Sequence, residues 1–184
     1  MAIDFQLQTI ANSSNTLLVG KIVTVASLGI FAGTALTYSA VIMPSLRKFS
    51  STSSVAIWHE TFQASKSLQV ATLVASIAGS VGLHHKSKNA FYLYGAITMA
   101  SIIPYTLLTL VPLNNKLFTI RQTNTINGKT NSMKDSMSND NVSEDLLNRW
   151  SLFHLGRVVL SFGALFSVLY GVVSENGVRF ILFK

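Results

Sequence analysis

The chain has 184 residues, 49% of them hydrophobic and 11% charged, with a net charge of +7 and no cysteine. Water-soluble domains carry about 25% charged residues, so the composition points to a membrane protein. The lack of cysteine excludes disulfides, thiolate nucleophiles and iron–sulfur ligation. The Lys and Arg residues are scattered, without the interleaved aromatics of a nucleic-acid platform, which leaves anionic lipid head groups as their simplest partner.

The first apolar run is Leu17–Met43. It is too long for a signal-peptide core and reads as a retained span. The residues before it hold Asp4 and no Lys or Arg until Lys21, unlike an Arg-rich mitochondrial presequence. Gly29 and Gly33 make a Gly-x-x-x-Gly pair, a pattern that permits close helix approach. The second run, Ser67–Leu83, falls short of the roughly 20 residues a span needs unless it begins near Phe62, with Trp58 just upstream. Its small residues, Ala71, Ala75, Ala78, Gly79 and Gly82, also suit a tight bundle. The third run is Ala90–Leu113. The fourth is Leu152–Val173, entered through Trp150. The expected spans are therefore 17–43, 62–83, 90–113 and 150–173, in a single all-α, four-helix integral membrane domain.

Four spans put both termini on one side. The loops on the other side are then Pro44–Lys66 and Asn114–Ser151, and they hold most of the Lys and Arg residues, so this side is expected to be cytoplasmic. The sequon Asn12-Ser13-Ser14 would face the lumen, and Asn141-Val142-Ser143 would not. Residues 119–143, from Thr119 to Ser143, are polar and read as an insertion without packed structure. Ser143-Glu144-Asp145 reads as an N-cap with an acidic first turn, starting the last helix near Glu144. The tail Val178–Phe183 is too short to span and reads as an interfacial anchor.

One string stands out: Trp150, His154 and Arg157, spaced i, i+4, i+7. At 100° per residue they occupy one stripe about 60° wide. Arg157 lies inside a run otherwise free of charge, and an ionisable residue within a span is a functional candidate by default. His154 has the chemistry of a general base and Arg157 that of an anion-stabilising cation. Trp150 can stack on a planar ring, with Trp58 at the same mouth, and Asn114 or Asn115 can hydrogen-bond a carbonyl or hydroxyl. Structural roles compete with these: a snorkelling Arg157, a His154 bonded to a neighbouring helix, a Trp150 in the aromatic belt. His59-Glu60 reads as a solvated loop and His84-His85 as a turn. Four histidines divided between two sides make no three-ligand metal site.

The string Trp150-Ser-Leu-Phe-His154-Leu-Gly-Arg157 resembles the DUF1772 family of small four-span membrane proteins, which includes the anthrone oxygenases. So do Pro112-Leu-Asn114-Asn115-Lys-Leu117 at the end of the third span, and Gly33 followed by Pro44 around the first. The resemblance spans roughly Leu17 to Val173, excluding the polar insertion. It implies oxidation of an anthrone-like polycyclic phenolic substrate by O2 with no cofactor, metal or flavin. In that chemistry His154 takes the proton, and Arg157 and Asn114 hold the enolate. An endoplasmic reticulum or other endomembrane location fits the family better than a mitochondrial one. Two other readings stand beside it: a non-catalytic accessory or assembly protein whose small-residue faces bind a partner helix or a second copy, and a carrier of lipid or another hydrophobe.

Overall fold

The four apolar runs fold here as parts of helices longer than a bilayer is thick. The structure is a computed structural model describing residues 2–127 and 133–175, with side chains described over 15–123 and 141–175. Four helical stretches, Asn15–Leu46, Ser51–Ser87, Ala90–Thr123 and Asn141–Glu175, are each long and apolar enough to cross a membrane. They are the first to fourth spans below. Each packs on its two neighbours in chain order, and the fourth closes the ring against the first. The architecture is an all-α, up-and-down four-helix membrane bundle.

Several expectations about the non-terminal side are corrected. Pro44–Lys66 is no loop: the first span runs to Leu46 and the second begins at Ser51, so only a four-residue turn separates them. Ser54 closes that turn by donating its hydroxyl to the Leu46 carbonyl at 2.7 Å. His59 and Glu60 therefore lie on a helix. The helix that carries the third span continues to Asn127, and the one carrying the fourth starts at Met133, so the segment expected to lack structure is helical on both sides of residues 128–132. Those five residues and the tail Val178–Phe183 lie outside the described residues, as do the side chains of the 12–14 sequon. Ser143 is no N-cap. It is a buried position ten residues into a helix. The physical reason is a second core beyond the hydrocarbon. Met43, Leu46, Val55, Trp58, Leu117, Leu146, Leu147 and Trp150 cluster there and hold the helices together where hydropathy has already fallen.

The membrane core proper gathers Leu28, Phe31, Leu83, Tyr92, Met99, Ile102, Ala164 and Val168. Its far end is tied by Lys21, whose ammonium lies 2.6 Å from a Glu175 carboxylate oxygen that also accepts the Tyr92 hydroxyl at 3.1 Å. The turn there carries Lys88 in the left-handed region (φ 59°), and the Asn89 side chain accepts the Phe91 amide at 3.0 Å. Measured from Glu175 at 1.5 Å per residue, Arg157 lies about 27 Å away, His154 about 31 Å and Trp150 about 37 Å. A hydrocarbon layer of about 30 Å starting at the Lys21–Glu175 pair thus ends near His154, leaving Arg157 inside it and Trp150 at the interface.

Close approach uses different glycines from the expected pair. A Cβ on Gly29 or Gly33 would meet nothing within 4 Å, whereas one on Gly79 would overlap the Thr24 side chain. One on Gly95 would sit 2.5 Å from a Val168 methyl.

Two π-helical turns, Tyr38–Ile42 and Thr106–Leu110, interrupt the first and third spans. In each, the amide that follows bonds five residues back, Met43 to the Tyr38 carbonyl and Val111 to the Thr106 carbonyl. Pro44 and Pro112 follow immediately. A proline cannot donate to the carbonyl four residues earlier and its ring presses on it. That carbonyl belongs to Ala40 or Leu108, inside each turn, and the widened turn relieves the conflict.

Candidate active site

The buried positions of the fourth span recur every three or four residues: Ser143, Leu146, Leu147, Trp150, His154, Arg157, Ser161, Ala164 and Val168. This is the 3.6-residue period of a core-facing stripe. His154 and Arg157 therefore occupy positions that the period reserves for apolar packing. They sit between the two cores.

Arg157 does not snorkel. It is 8% exposed and its Nη2 donates to the Gln69 side-chain oxygen of the second span at 2.7 Å. Its guanidinium carbon lies 5.3 Å from the centroid of the Phe31 ring. Among the described residues it forms no ion pair, and its Nε has no hydrogen-bond partner. A full positive charge is thus held inside the bundle by a neutral amide and a ring face.

Arg157 lines a cavity of about 320 Å³ between the second and third spans. Its other walls include Phe31, Leu73, Ile102, Thr106 and Leu110, with Gln69, Asn114 and Trp150 as polar or aromatic points. Asn114 accepts the Trp150 indole N–H at 2.7 Å, which fixes both side chains in the wall. The Thr106 hydroxyl, in the second π-helical turn, has no hydrogen-bond partner.

His154 stands behind this wall. Its ring stacks on Trp150 with centroids 4.5 Å apart and planes at 15°. Its Nδ1 shares a hydrogen bond of 3.1 Å with the Ser39 hydroxyl, and Tyr38 packs 5.6 Å away. His154 is not among the cavity-lining residues. Trp58 is fully buried and also stands behind the wall, stacked on Phe62 and meeting Trp150 edge-on at 5.8 Å. Asn115 faces outward, exposed, and joins neither group. Of the six residues singled out in the sequence, Trp150, Arg157 and Asn114 thus border the cavity, His154 and Trp58 support it, and Asn115 is apart from it.

Sequence reasoning passed over Gln69, Tyr38, Ser39, Phe31 and Tyr105. Gln69 carried a signal, being an amide within a run otherwise built of apolar and small residues. Tyr105 donates its hydroxyl to the Phe153 carbonyl at 2.6 Å, and it reaches that carbonyl only because Gly156 has no side chain there. Among the described residues no group of three His, Cys, Asp or Glu side chains comes together to hold a metal ion.

The fold and site define a four-span membrane bundle with a buried cation, Arg157, that has no ion-pair partner among the described residues and borders a largely apolar cavity. The sequence profile of the anthrone oxygenase family matches residues 58–167, and the chain belongs to that family. The match runs from Trp58 through the Trp150–His154–Arg157 string and leaves the first span outside it. Comparison with curated proteins and with solved structures returns no match.

Proposed function

We propose that the protein is a cofactor-independent monooxygenase that converts an anthrone-like polycyclic phenol to its quinone with O2. The observation that carries this reading is Arg157, a buried cation with no counter-charge among the described residues, bordering an apolar cavity large enough for fused aromatic rings. A buried charge without a partner is costly, and an anionic ligand state would supply the partner.

The reaction needs an anion. Loss of one proton from the methylene carbon between the rings gives a carbanion delocalised onto the carbonyl oxygen. Arg157 pairs with that oxygen and favours ionisation of the carbon acid. Gln69 holds the guanidinium in place, and the Trp150 indole offers a flat wall. The carbanion transfers an electron to O2, a carbon–oxygen bond forms, and protonation gives a hydroperoxide. Elimination of water, with the second methylene hydrogen, leaves the ketone. One O2 is consumed per substrate, with one oxygen atom in the quinone and one in water.

In this reading His154 receives the proton. Because Trp150 lies between the imidazole and the cavity, the proton passes at the edge of the indole, through a water or a displaced ring. The resemblance in sequence favours the endoplasmic reticulum or another endomembrane as the location.

The test is oxygen uptake by the full chain in nanodiscs supplied with anthrone. The wild type should consume O2 and form anthraquinone in equal amounts, faster than the spontaneous reaction. Arg157→Met should lower the rate by about 10²–10³, the usual loss of a charge-stabilising donor. His154→Gln keeps a hydrogen-bonding side chain but no base. It should flatten the pH dependence of the rate as well as reduce it. Wild-type uptake no faster than the uncatalysed reaction removes the oxygenase reading.

A further inference from the structure

The cavity residues that are also exposed all lie along one seam. Lys66 and Val70 stand one helical turn apart on the second span, and Ile103 and Leu107 one turn apart on the third. Val70 is 53% exposed and Leu107 59%. These two stripes border the cavity between the same two helices, so its rim is a slot between the spans. At 1.5 Å per residue from the Ser87–Ala90 turn, Ile103, Leu107 and Val70 lie about 20–26 Å deep, within the hydrocarbon, while Lys66 lies about 31 Å away, at the interface. Beyond Lys66, towards water, the cavity is backed by aromatic rings. There Trp58, Phe62 and Phe118 pack ring on ring with centroids 5.4–5.8 Å apart, directly against Trp150.

We propose that the ligand of this cavity enters sideways from the bilayer, through the slot between the second and third spans, and not from water. The slot selects a flat, membrane-partitioned aromatic molecule. An ionisable oxygen on that molecule travels near the interface, passes Lys66 and ends at Arg157. This inference rests on the reading above only in taking the cavity as the binding site, and it is independent of the oxygen chemistry.

The natural chain has no cysteine, so thiols can be placed at will, and its only two tryptophans, Trp58 and Trp150, flank the cavity. A hydroxyanthraquinone, the expected class of product with an ionisable oxygen kept, is the probe. Its arrival is followed by stopped-flow quenching of tryptophan fluorescence in nanodiscs. In Val70→Cys/Leu107→Cys, a short bis-thiosulfonate linker, which forms a reducible disulfide to each cysteine, ties the slot shut. In Glu60→Cys/Arg121→Cys the same linker replaces a 3.7 Å ion pair joining the same spans beyond the aromatic plug. Tying the slot should slow association by about tenfold or more, as gating of a binding site does, with full recovery on reduction. The second tether should leave the rate unchanged. Slowing by the outer tether alone, or by neither, overturns lateral entry while leaving the cavity as the binding site. Absence of saturable quenching in the wild type removes the cavity as the site, and the route with it.

Discussion

Replacing Arg157 by Met should leave the fold intact while sharply slowing the proposed reaction, and the structure sets the size of the effect on stability. Burying a guanidinium costs several kcal/mol even after relaxation. Against this stand one hydrogen bond from a charged donor to Gln69, worth about 1.5–3 kcal/mol, and one cation–ring contact with Phe31, worth about 1–2 kcal/mol. Gains of about 2.5–5 kcal/mol against a penalty of similar size leave Arg157 near neutral for stability. Met fills most of the same volume but strands the Gln69 oxygen, at about 1–2 kcal/mol. Arg157→Met alone should therefore be slightly destabilised. Arg157→Met/Gln69→Leu, which removes both polar partners, should exceed the wild type by about 1–3 kcal/mol. Reversible unfolding in bicelles measures this, with anthrone-dependent oxygen uptake alongside. A double variant less stable than wild type by 2 kcal/mol or more (on the same scale of paired-charge effects) would refute the argument. It would mean that the bundle compensates the charge fully and needs no ligand to do so.

The Trp150–Asn114 hydrogen bond predicts coupling. Trp150→Phe leaves the buried Asn114 oxygen unpaired and should cost about 1–3 kcal/mol, with a double-mutant cycle against Asn114→Ala returning about 1 kcal/mol of interaction. Glycine substitutions should differ in sign by position. Gly156→Ala drives a Cβ into the Tyr105 ring and should destabilise by about 1–3 kcal/mol, whereas Gly33→Ala meets open space and should stabilise its helix by up to about 1 kcal/mol. Thermal unfolding of the two variants in one detergent checks both at once. Lys21→Met breaks the tie between the first and fourth spans and leaves Glu175 with the Tyr92 and Ser87 hydroxyls as its partners among the described residues. Its melting temperature should fall by an amount equivalent to about 1.5–3 kcal/mol, and Lys21→Arg should restore most of the loss.

Arg157 and Trp150 were legible in sequence because a helix has a strong period and the hydrocarbon admits few charges. The same period could not tell Asn114 from Asn115. Which of two adjacent residues faces inward depends on the phase of the helix, and the π-helical turn at Thr106–Leu110 resets that phase. The charged and polar residues between Pro44 and Lys66 read as a loop because hydropathy reports depth in the membrane, not the length of a helix. Val55 and Trp58 keep the second helix folded there by packing on Leu117, Leu146 and Leu147. Ser39, the partner of His154, lies 115 positions away, and Gln69, the partner of Arg157, lies 88 away. Neither pairing has a local signal. The cavity also divides the string: Arg157 faces it and His154 does not, although both sit on one stripe.

The two π-helical turns make the chain tolerant of a lost residue at two places and intolerant of it a turn away. Each holds one residue more than an α-helix would use. Losing one residue between Thr106 and Leu110 would leave the hydropathy profile almost unchanged and the span still long enough to cross. It would also let the widened turn close to an α-helix with Asn114 still near the Trp150 indole, whereas losing one of the α-helical residues 111–113 that follow would turn Asn114 away by about 100°. An alignment would score the two gaps alike, yet only the second would take the cavity wall apart.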